Sequence, residues 1–421
     1  MAYAYANGGV WGLGNGLVGS SLVVYLAGAY GAAGFAVSLV LAAPRLVGVL
    51  RLATPWLMDV VGNRRRFCLL TFFASSAALL ALPVLSAPHV LPNARLSLAA
   101  LVLLWTLYHL LEFLGVVALW SWFGDLVPSA VRGRFVGRRT AWTNAGRVVG
   151  MVVGGASTWW WKTHGQAYYG ADDSLWLGYA VCAGCGAALL AGAVWPLSRM
   201  AEIASPSGVG QSNRRRRWQE TWLPFADRRF RRLLVYGGWF SLANGITGSA
   251  QLLYQMQILE VSYAQRLTLV GTSRAVQSLA MPWVGALADR RGNVPVLVVS
   301  QLLVACGLLF FLLATPEHRW WLIGAFVLWI AYAGTNVAMP NLMLQLGRRA
   351  CYASYAAAWF AWKELVYALS TLAGGMLFDG MSRHFTPRTW GVWRIDHFAA
   401  LFLLGWILRM LGVLWAARIR E

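Results

Sequence analysis

Charge is what this chain has least of. Asp, Glu, Lys and Arg make up 12% of the sequence, where an ordinary soluble domain carries roughly 25%. Acidic residues are scarcer still, at 15 against 35 Lys and Arg. So little polar surface excludes a water-soluble enzyme or binding module. Cysteine is also sparse. Cys68, Cys182, Cys185, Cys306 and Cys351 all lie in or beside apolar runs. Cys182-x-x-Cys185 has metal-like spacing but no second pair and no nearby His, so the two read as small packing residues and no metal site is expected. A nucleotide loop is missing too. Gly12, Gly14 and Gly16 lie inside an apolar run without a closing Lys-Ser or Lys-Thr, so no cofactor is expected. The N-terminus lacks the basic region of a signal peptide, and the first apolar run is expected to be retained.

Apolar residues fill the space that charge leaves. The chain is 59% hydrophobic over 421 residues and holds 24 Trp. Apolar runs of about 20 residues, the length that crosses a bilayer, recur throughout. They must be helices, because an open strand leaves its backbone unpaired in lipid. The expected fold is an all-α membrane protein with twelve transmembrane helices. The spans fall near 8–30, 33–58, 67–87, 97–122, 140–161, 174–196, 232–255, 266–288, 294–314, 320–343, 353–378 and 396–417.

The loops between them sort by charge. One side receives Arg64 to Arg66, Arg132 to Arg139, the segment 199–231, Arg290, Arg291, Arg348, Arg349, Arg418 and Arg420. Basic loops stay inside the cell, so both termini are expected in the cytoplasm of a bacterial-type inner membrane. Orientation thus accounts for the net charge of +20, and nucleic acid is not an expected partner. The polar segment holding Arg214 to Arg217 divides the chain. It predicts a six-helix bundle over 1–200, a basic cytoplasmic linker over 201–231 and a second six-helix bundle over 232–421. The Arg cluster reads either as a solvated topology signal or as a contact for anionic membrane lipids, worth about 1 kcal/mol per residue.

Two turns organise this pattern. Gly285-Ala-Leu-Ala-Asp289-Arg290-Arg291-Gly292-Asn293 joins two apolar runs, and Pro55-Trp-Leu-Met-Asp59-Val-Val-Gly62-Asn63-Arg64 repeats its Asp-x-x-Gly-Asn core. Matching turns in the two halves mark an internal duplication. Both resemble the signature turn of the major facilitator superfamily, Gly-x-x-x-Asp-Arg-x-Gly-Arg-Arg. The second copy matches at Gly285, Asp289, Arg290 and Gly292; the first has Pro55 for Gly and Val60 for Arg. Asp125-x-x-Pro128-x-x-x-Arg132-Gly133 is similar to the loop motif after the fourth span of many members. The resemblance implies two pseudo-symmetric bundles and no catalysis. It also implies a gating network drawn from Asp59, Gly62, Arg64, Asp125, Arg132, Asp289, Arg290 and Gly292. Gln345 stands where the second half would carry an acid. Gly137, Gly146, Gly150, Gly154 and Gly155 resemble the family's antiporter motif, with Met151 in place of its Pro. The same glycines also read as a small-residue face for close helix packing.

Ionisable residues deep in a span are costly and usually face a cavity. They are Arg45, His109, Glu112, Arg147, Arg274, Lys363 and Glu364, with Gln251, Gln255 and Asn336 as uncharged company. Arg45 and Arg274 each precede a signature Asp by about four helical turns, so they share a depth. Substrate contact is expected from Arg45, Arg274, Gln251, Gln255 and Asn336, the two arginines clamping an anionic group. Glu112 is the expected proton carrier, with His109 on the same helix face; Glu364, beside Lys363, is the second candidate. A structural Arg45–Glu112 pair is the competing reading. The function expected is alternating-access secondary transport of a small organic solute by a monomer, coupled to protons. Proton-driven export of drugs or metabolites, a membrane-embedded lipid-modifying enzyme and a non-transporting sensor are the alternatives.

Overall fold

The structure is a computed structural model. It describes residues 1–19, 23, 27, 43–85, 90–165, 171–202, 214–261, 263–384, 388–390 and 393–420. The expected second span, near 33–58, therefore lies partly outside the described residues, as does most of the polar segment before Arg214.

Helices dominate, as an apolar solvent requires. The first half contributes α1 (Ala2–Leu17), α2 (Thr54–Val61), α3 (Arg64–Leu85), α4 (Ala94–Leu126), α5 (Arg132–Trp160) and α6 (Ala171–Gly192). A connecting helix, α7 (Arg214–Ala226), precedes α8 (Arg228–Leu253), α9 (Tyr263–Arg291), α10 (Asn293–Cys306), α11 (Trp321–Leu328), α12 (Tyr332–Leu346), α13 (Tyr352–His384) and α14 (His397–Ala417). A short antiparallel hairpin pairs Arg388–Trp390 with Trp393–Ile395 ahead of α14.

The helix ends have local causes. Asn93 caps α4 by accepting from the Leu96 amide, Asp227 caps α8 through Arg229 and Phe230, and Asp396 caps α14 through Ala399. Each satisfies donors that the first turn leaves unpaired. Gly62 and Gly292 take φ of 73° and 88° where α2 and α9 stop, a conformation that side chains resist. Among the described residues, six helices are long and apolar enough to cross a bilayer: Arg64–Leu85, Ala94–Leu126, Trp176–Ser198, Asn293–Leu313, Trp321–Leu346 and His397–Ala417. Helices α5, α9 and α13 run to 29, 29 and 33 residues. These three carry Arg139, Arg147, Arg274, Lys363 and Glu364.

The chain forms two compact units. One contains Met1–Val127, Arg138–Thr221 and Arg348–Phe360; the other contains Pro128–Gly137, Trp222–Gly347 and Ala361–Glu421. Each unit thus includes a short segment from the opposite half of the sequence, taken from the start of α5 or of α13. The first is packed around Leu79, Leu82, Leu101, Trp105, Tyr108, Ala183 and Leu190. The second is packed around Leu308, Phe311, Leu322, Phe326, Leu401 and Phe402. In lipid such cores are held by close van der Waals contact rather than by exclusion of water.

Close contact explains the glycines of α5. Added Cβ atoms on Gly146 and Gly150 would collide with the carbonyl oxygens of Gly9 and Leu13, and ones on Gly12 and Gly16 with those of Thr143 and Arg147. Backbone therefore meets backbone along α1 and α5. The second unit repeats the device between α8 and α13, where a Cβ on Gly374 would strike the Ile246 carbonyl. The glycines resembling an antiporter motif thus include two that a packing constraint demands. Gly150→Leu should force α1 from α5 and cost about 1–3 kcal/mol by overpacking. Thermal unfolding in detergent should show a lowered Tm, and an unchanged Tm would contradict the contact.

Candidate functional site

The second signature turn grips the start of a helix. Asp289 lies in the last turn of α9, just before Gly292 ends it. Its Oδ1 accepts from the Gly133 amide at 2.7 Å and its Oδ2 from the Arg134 amide at 2.9 Å. Arg134 Nε stands 3.9 Å away, and the Asp289 side chain is only 8% exposed. The first turn of α5 has unpaired N–H groups and a partial positive charge, so a carboxylate fits there. The neighbouring glycines follow from the same contact. A Cβ on Gly133 would press on Asp289 Oδ1, and one on Gly285 would meet the Gly133 carbonyl. Arg290 beside it is exposed.

The first turn is built differently. Asp59 is exposed at the end of α2. Arg64, just past Gly62, donates from Nη1 to Asp125 Oδ2 at 2.6 Å and to Ser121 Oγ at 3.1 Å. Both side chains of this ion pair are largely buried, at 11% and 7% exposed. The second unit answers with amides. Asn293 Nδ2 donates to Gln345 Oε1 at 3.0 Å, and Asn341 Nδ2 donates to Asn293 Oδ1 at 2.6 Å. Gln345, where an acid was expected, is therefore satisfied by a neutral ladder. Arg132 is buried, at the start of α5.

Within the first unit two interior ionisable groups meet on α4. His109 Nδ1 lies 3.2 Å from Glu112 Oε2, and Glu112 is 5% exposed. Three aromatic rings surround the imidazole: Trp105 at 4.3 Å, Tyr108 at 4.7 Å and Phe113 at 5.3 Å between centroids. The other contact of Phe113 is a cation. The guanidinium of buried Arg51 sits 3.6 Å from its ring centre and 5.5 Å from that of Phe360. One ring therefore touches both the imidazole and the guanidinium. Arg147 lies over Trp11 at 5.4 Å. Arg139 lies over Phe123 at 4.9 Å and donates to Asn7 Oδ1 at 3.3 Å. Arg45 is half-buried just before the Gly48–Ala53 turn.

The second unit holds the remaining candidates. Arg274 is half-buried on α9. Gln251 Nε2 donates to Thr247 Oγ1 at 2.9 Å, and Gln255 Nε2 donates to the Gln251 carbonyl at 3.1 Å. Gln255 is buried, whereas Asn336 is exposed on α12. Lys363 Nζ lies 3.9 Å from Met339 Sδ and 5.9 Å from the Phe240 ring centre, and Glu364 is half-buried. Arg409 on α14 is 2% exposed. Arg51 and Arg409, buried, and Arg139, half-buried, are cations that the sequence did not single out. Their signal was present, since each falls within or at the edge of an expected span. Among the described residues no group of three or more His, Cys, Asp or Glu is placed to hold a metal.

Residues 7–375 match the family described as the Major Facilitator Superfamily. The chain is similar in structure to FucP, an E. coli fucose:proton symporter, in an outward conformation. Identity is 12% and the TM-score 0.76, with 100% of this chain and 98% of that one covered. It is also similar to the proton:xylose symporter XylE, at 14% identity and a TM-score of 0.69, covering 100% and 95%. A bacterial homologue of the iron transporter ferroportin, outward-facing, gives 11% identity and a TM-score of 0.66, covering 99% and 98%. No curated protein matches the sequence. At these identities the likeness to solved structures speaks for the fold alone.

Removing the Asp289 carboxylate should loosen the start of α5. Loss of such a cap costs about 0.5–2 kcal/mol, so Asp289→Ala should speed hydrogen exchange at the Gly133 and Arg134 amides by about 2- to 30-fold. Exchange unchanged from the parent would contradict the assignment.

Proposed function

The chain belongs to the major facilitator superfamily, whose fold is two bundles of six transmembrane helices working by alternating access, and we propose that it is a proton-coupled secondary transporter of a small organic anion. In this reading the bundles are residues 1–200 and 232–421, joined by a basic linker over 201–231. Both termini face the cytoplasm of a bacterial-type inner membrane, and the protein works as a monomer among membrane lipids.

The observation that carries the proposal is the His109–Glu112 pair and its contact, through Phe113, with Arg51. The imidazole and the carboxylate stand within hydrogen-bond reach of each other. With Glu112 ionised and both imidazole nitrogens protonated the pair is neutral overall. One more proton leaves it with a net positive charge, which favours an anion nearby because Coulomb energies are large where water is excluded. Binding of the anion then raises proton affinity, and the reverse holds by linkage. That reciprocity is what proton-coupled uptake needs. Arg51, always charged, supplies a standing attraction for the same solute.

Solute contacts are assigned to Arg45 and Arg274, with Gln251, Gln255 and Asn336 as polar neighbours. An arginine fork suits a carboxylate or phosphate. Glu364 on α13 is the second candidate for carrying protons. Asp59, Asp125, Arg132 and Asp289, with their neighbours in the turns, are assigned to gating rather than to solute contact. Export remains the competing direction. Its main support, the antiporter-like glycines of α5, now has a packing cause.

Proteoliposomes test the assignment. Glu112→Gln should abolish accumulation driven by a proton gradient while keeping exchange of labelled solute across the membrane. A solute panel spanning anions, sugars and cations supplies the substrate. If Glu112→Gln still concentrates its solute on a proton gradient alone, Glu112 is not the carrier.

A further inference from the structure

Helix α12 is enclosed on nearly every side. From Ala333 to Leu344 each residue is buried except Asn336 and Pro340. With half-buried Tyr332 these form one line along the helix, spaced by four residues. A phenol and an amide on the open line of an apolar helix suit a polar cavity and not lipid. The neighbouring helices meet it in kind. On α8, Phe240, Asn244 and Gly248 are half-buried at the same spacing, and on α13 so are Lys363 and Tyr367. Contacts join the three helices. Tyr332 donates to Asn244 Oδ1 at 2.8 Å, and its ring centre lies 6.1 Å from that of Phe240. Lys363 Nζ lies 5.9 Å from the Phe240 ring centre and 3.9 Å from Sδ of Met339, one turn beyond Asn336. A Cβ on Gly248 would sit 3.8 Å from the Tyr367 hydroxyl. All of these residues belong to the second unit.

Among the described residues on these lines Lys363 is the one cation. A thioether is a weak acceptor and a ring face a modest attraction, and an ammonium on a flexible stem turns its three donors readily to a new partner. We propose that Lys363 binds the carboxylate of an aromatic monocarboxylic acid, with Phe240 and Tyr332 against the ring of that solute. This rests on the reading that the chain carries an organic anion, and it names the class. One point charge matches a monoanion, whereas a dianion would be left half-neutralised. A sugar calls for many donors and acceptors, and here Tyr332 and Asn244 already serve each other, with Asn244 Nδ2 donating to the Phe240 carbonyl at 2.7 Å. Aromatic faces with few polar groups suit a flat apolar body. Exposed Asn336 supplies an amide donor for the second carboxylate oxygen.

The test is calorimetric titration of the purified full chain in detergent at pH 7, where no gradient is present and proton coupling does not enter. Benzoate should bind, and roughly 2- to 10-fold more tightly than cyclohexanecarboxylate, the worth of a ring-on-ring contact. Benzamide, its uncharged analogue, should bind at least about 10-fold more weakly. Lys363→Gln should weaken benzoate binding by roughly 10- to 100-fold and Lys363→Arg by less, while Phe240→Leu should erase the preference for benzoate over cyclohexanecarboxylate. No binding of benzoate by the parent, equal binding of benzoate and benzamide, or benzoate affinity unchanged in Lys363→Gln would overturn the proposal. Should Lys363→Gln fail to fold, the preferences of the parent and of Phe240→Leu decide. Binding of lactate in place of benzoate would refute the aromatic class while keeping the reading of an organic anion carrier. Benzoate binding that depends on Lys363, in a chain whose transport moves no protons, would uphold this site and refute the coupling.

Discussion

A charge inside a bilayer must be met by a counter-charge, a hydrogen bond or an aromatic face, because water is not there to meet it. This chain has 35 basic residues and 15 acidic ones, so counter-charges cannot serve every interior cation. Aromatic rings also lie against several of them. Arg51 rests on Phe113, Arg139 on Phe123 and Arg147 on Trp11, while Lys363 lies over Phe240. A cation over a ring gains about 0.5–1 kcal/mol when exposed and about 2 when desolvated. Phe113, Phe123, Trp11 and Phe240 are aromatic residues whose faces meet interior cations of an acid-poor chain.

The carboxylates that remain are used where a ring cannot serve. Asp289 holds two backbone N–H groups, Asp125 holds Arg64, and Glu112 holds His109. Two of the three lie at the turns and one within a span. The duplicated halves have diverged at the turns. Arg64 and Asp125 form a charged clasp in the first unit, and Asn293, Gln345 and Asn341 form a neutral one in the second. A charged clasp strengthens as water leaves and weakens when water enters. An amide ladder is far less sensitive. The two turns therefore respond differently to the hydration changes of a transport cycle, although their backbones follow the same plan.

Much of this was legible in the sequence. The Asp-x-x-Gly-Asn core repeats because Gly62 and Gly292 both need positive φ, and that need is independent of what the side chains contact. Asp289 and Gly133 were readable for the same reason: a helix start and a close backbone approach each restrict residue type. His109 and Glu112 were paired by their three-residue spacing alone. What sequence did not yield was partners across helices. Asp59, Arg64, Asp125 and Arg132 were read as one network, and within it the structure pairs Asp125 with Arg64. Gln345 read as a missing acid, yet it belongs to an amide ladder closed by Asn293 and Asn341. Arg51 and Arg139 sit near basic loops or a span end, where hydropathy alone reads a cation as snorkelling; Arg409, midway along its span, carried the signal of an interior charge. Only the packing of Phe113, Asn7 and Thr247 against them reveals burial.

The central claim is that an anion and a proton enter this protein together. The direct measurement is internal pH in proteoliposomes loaded with a pH-sensitive dye, in light buffer without an imposed gradient, as anions are added outside. The account predicts internal acidification that accompanies anion uptake and saturates with it. Uptake of an anion with no proton movement, or transport confined to neutral or cationic solutes, would contradict it.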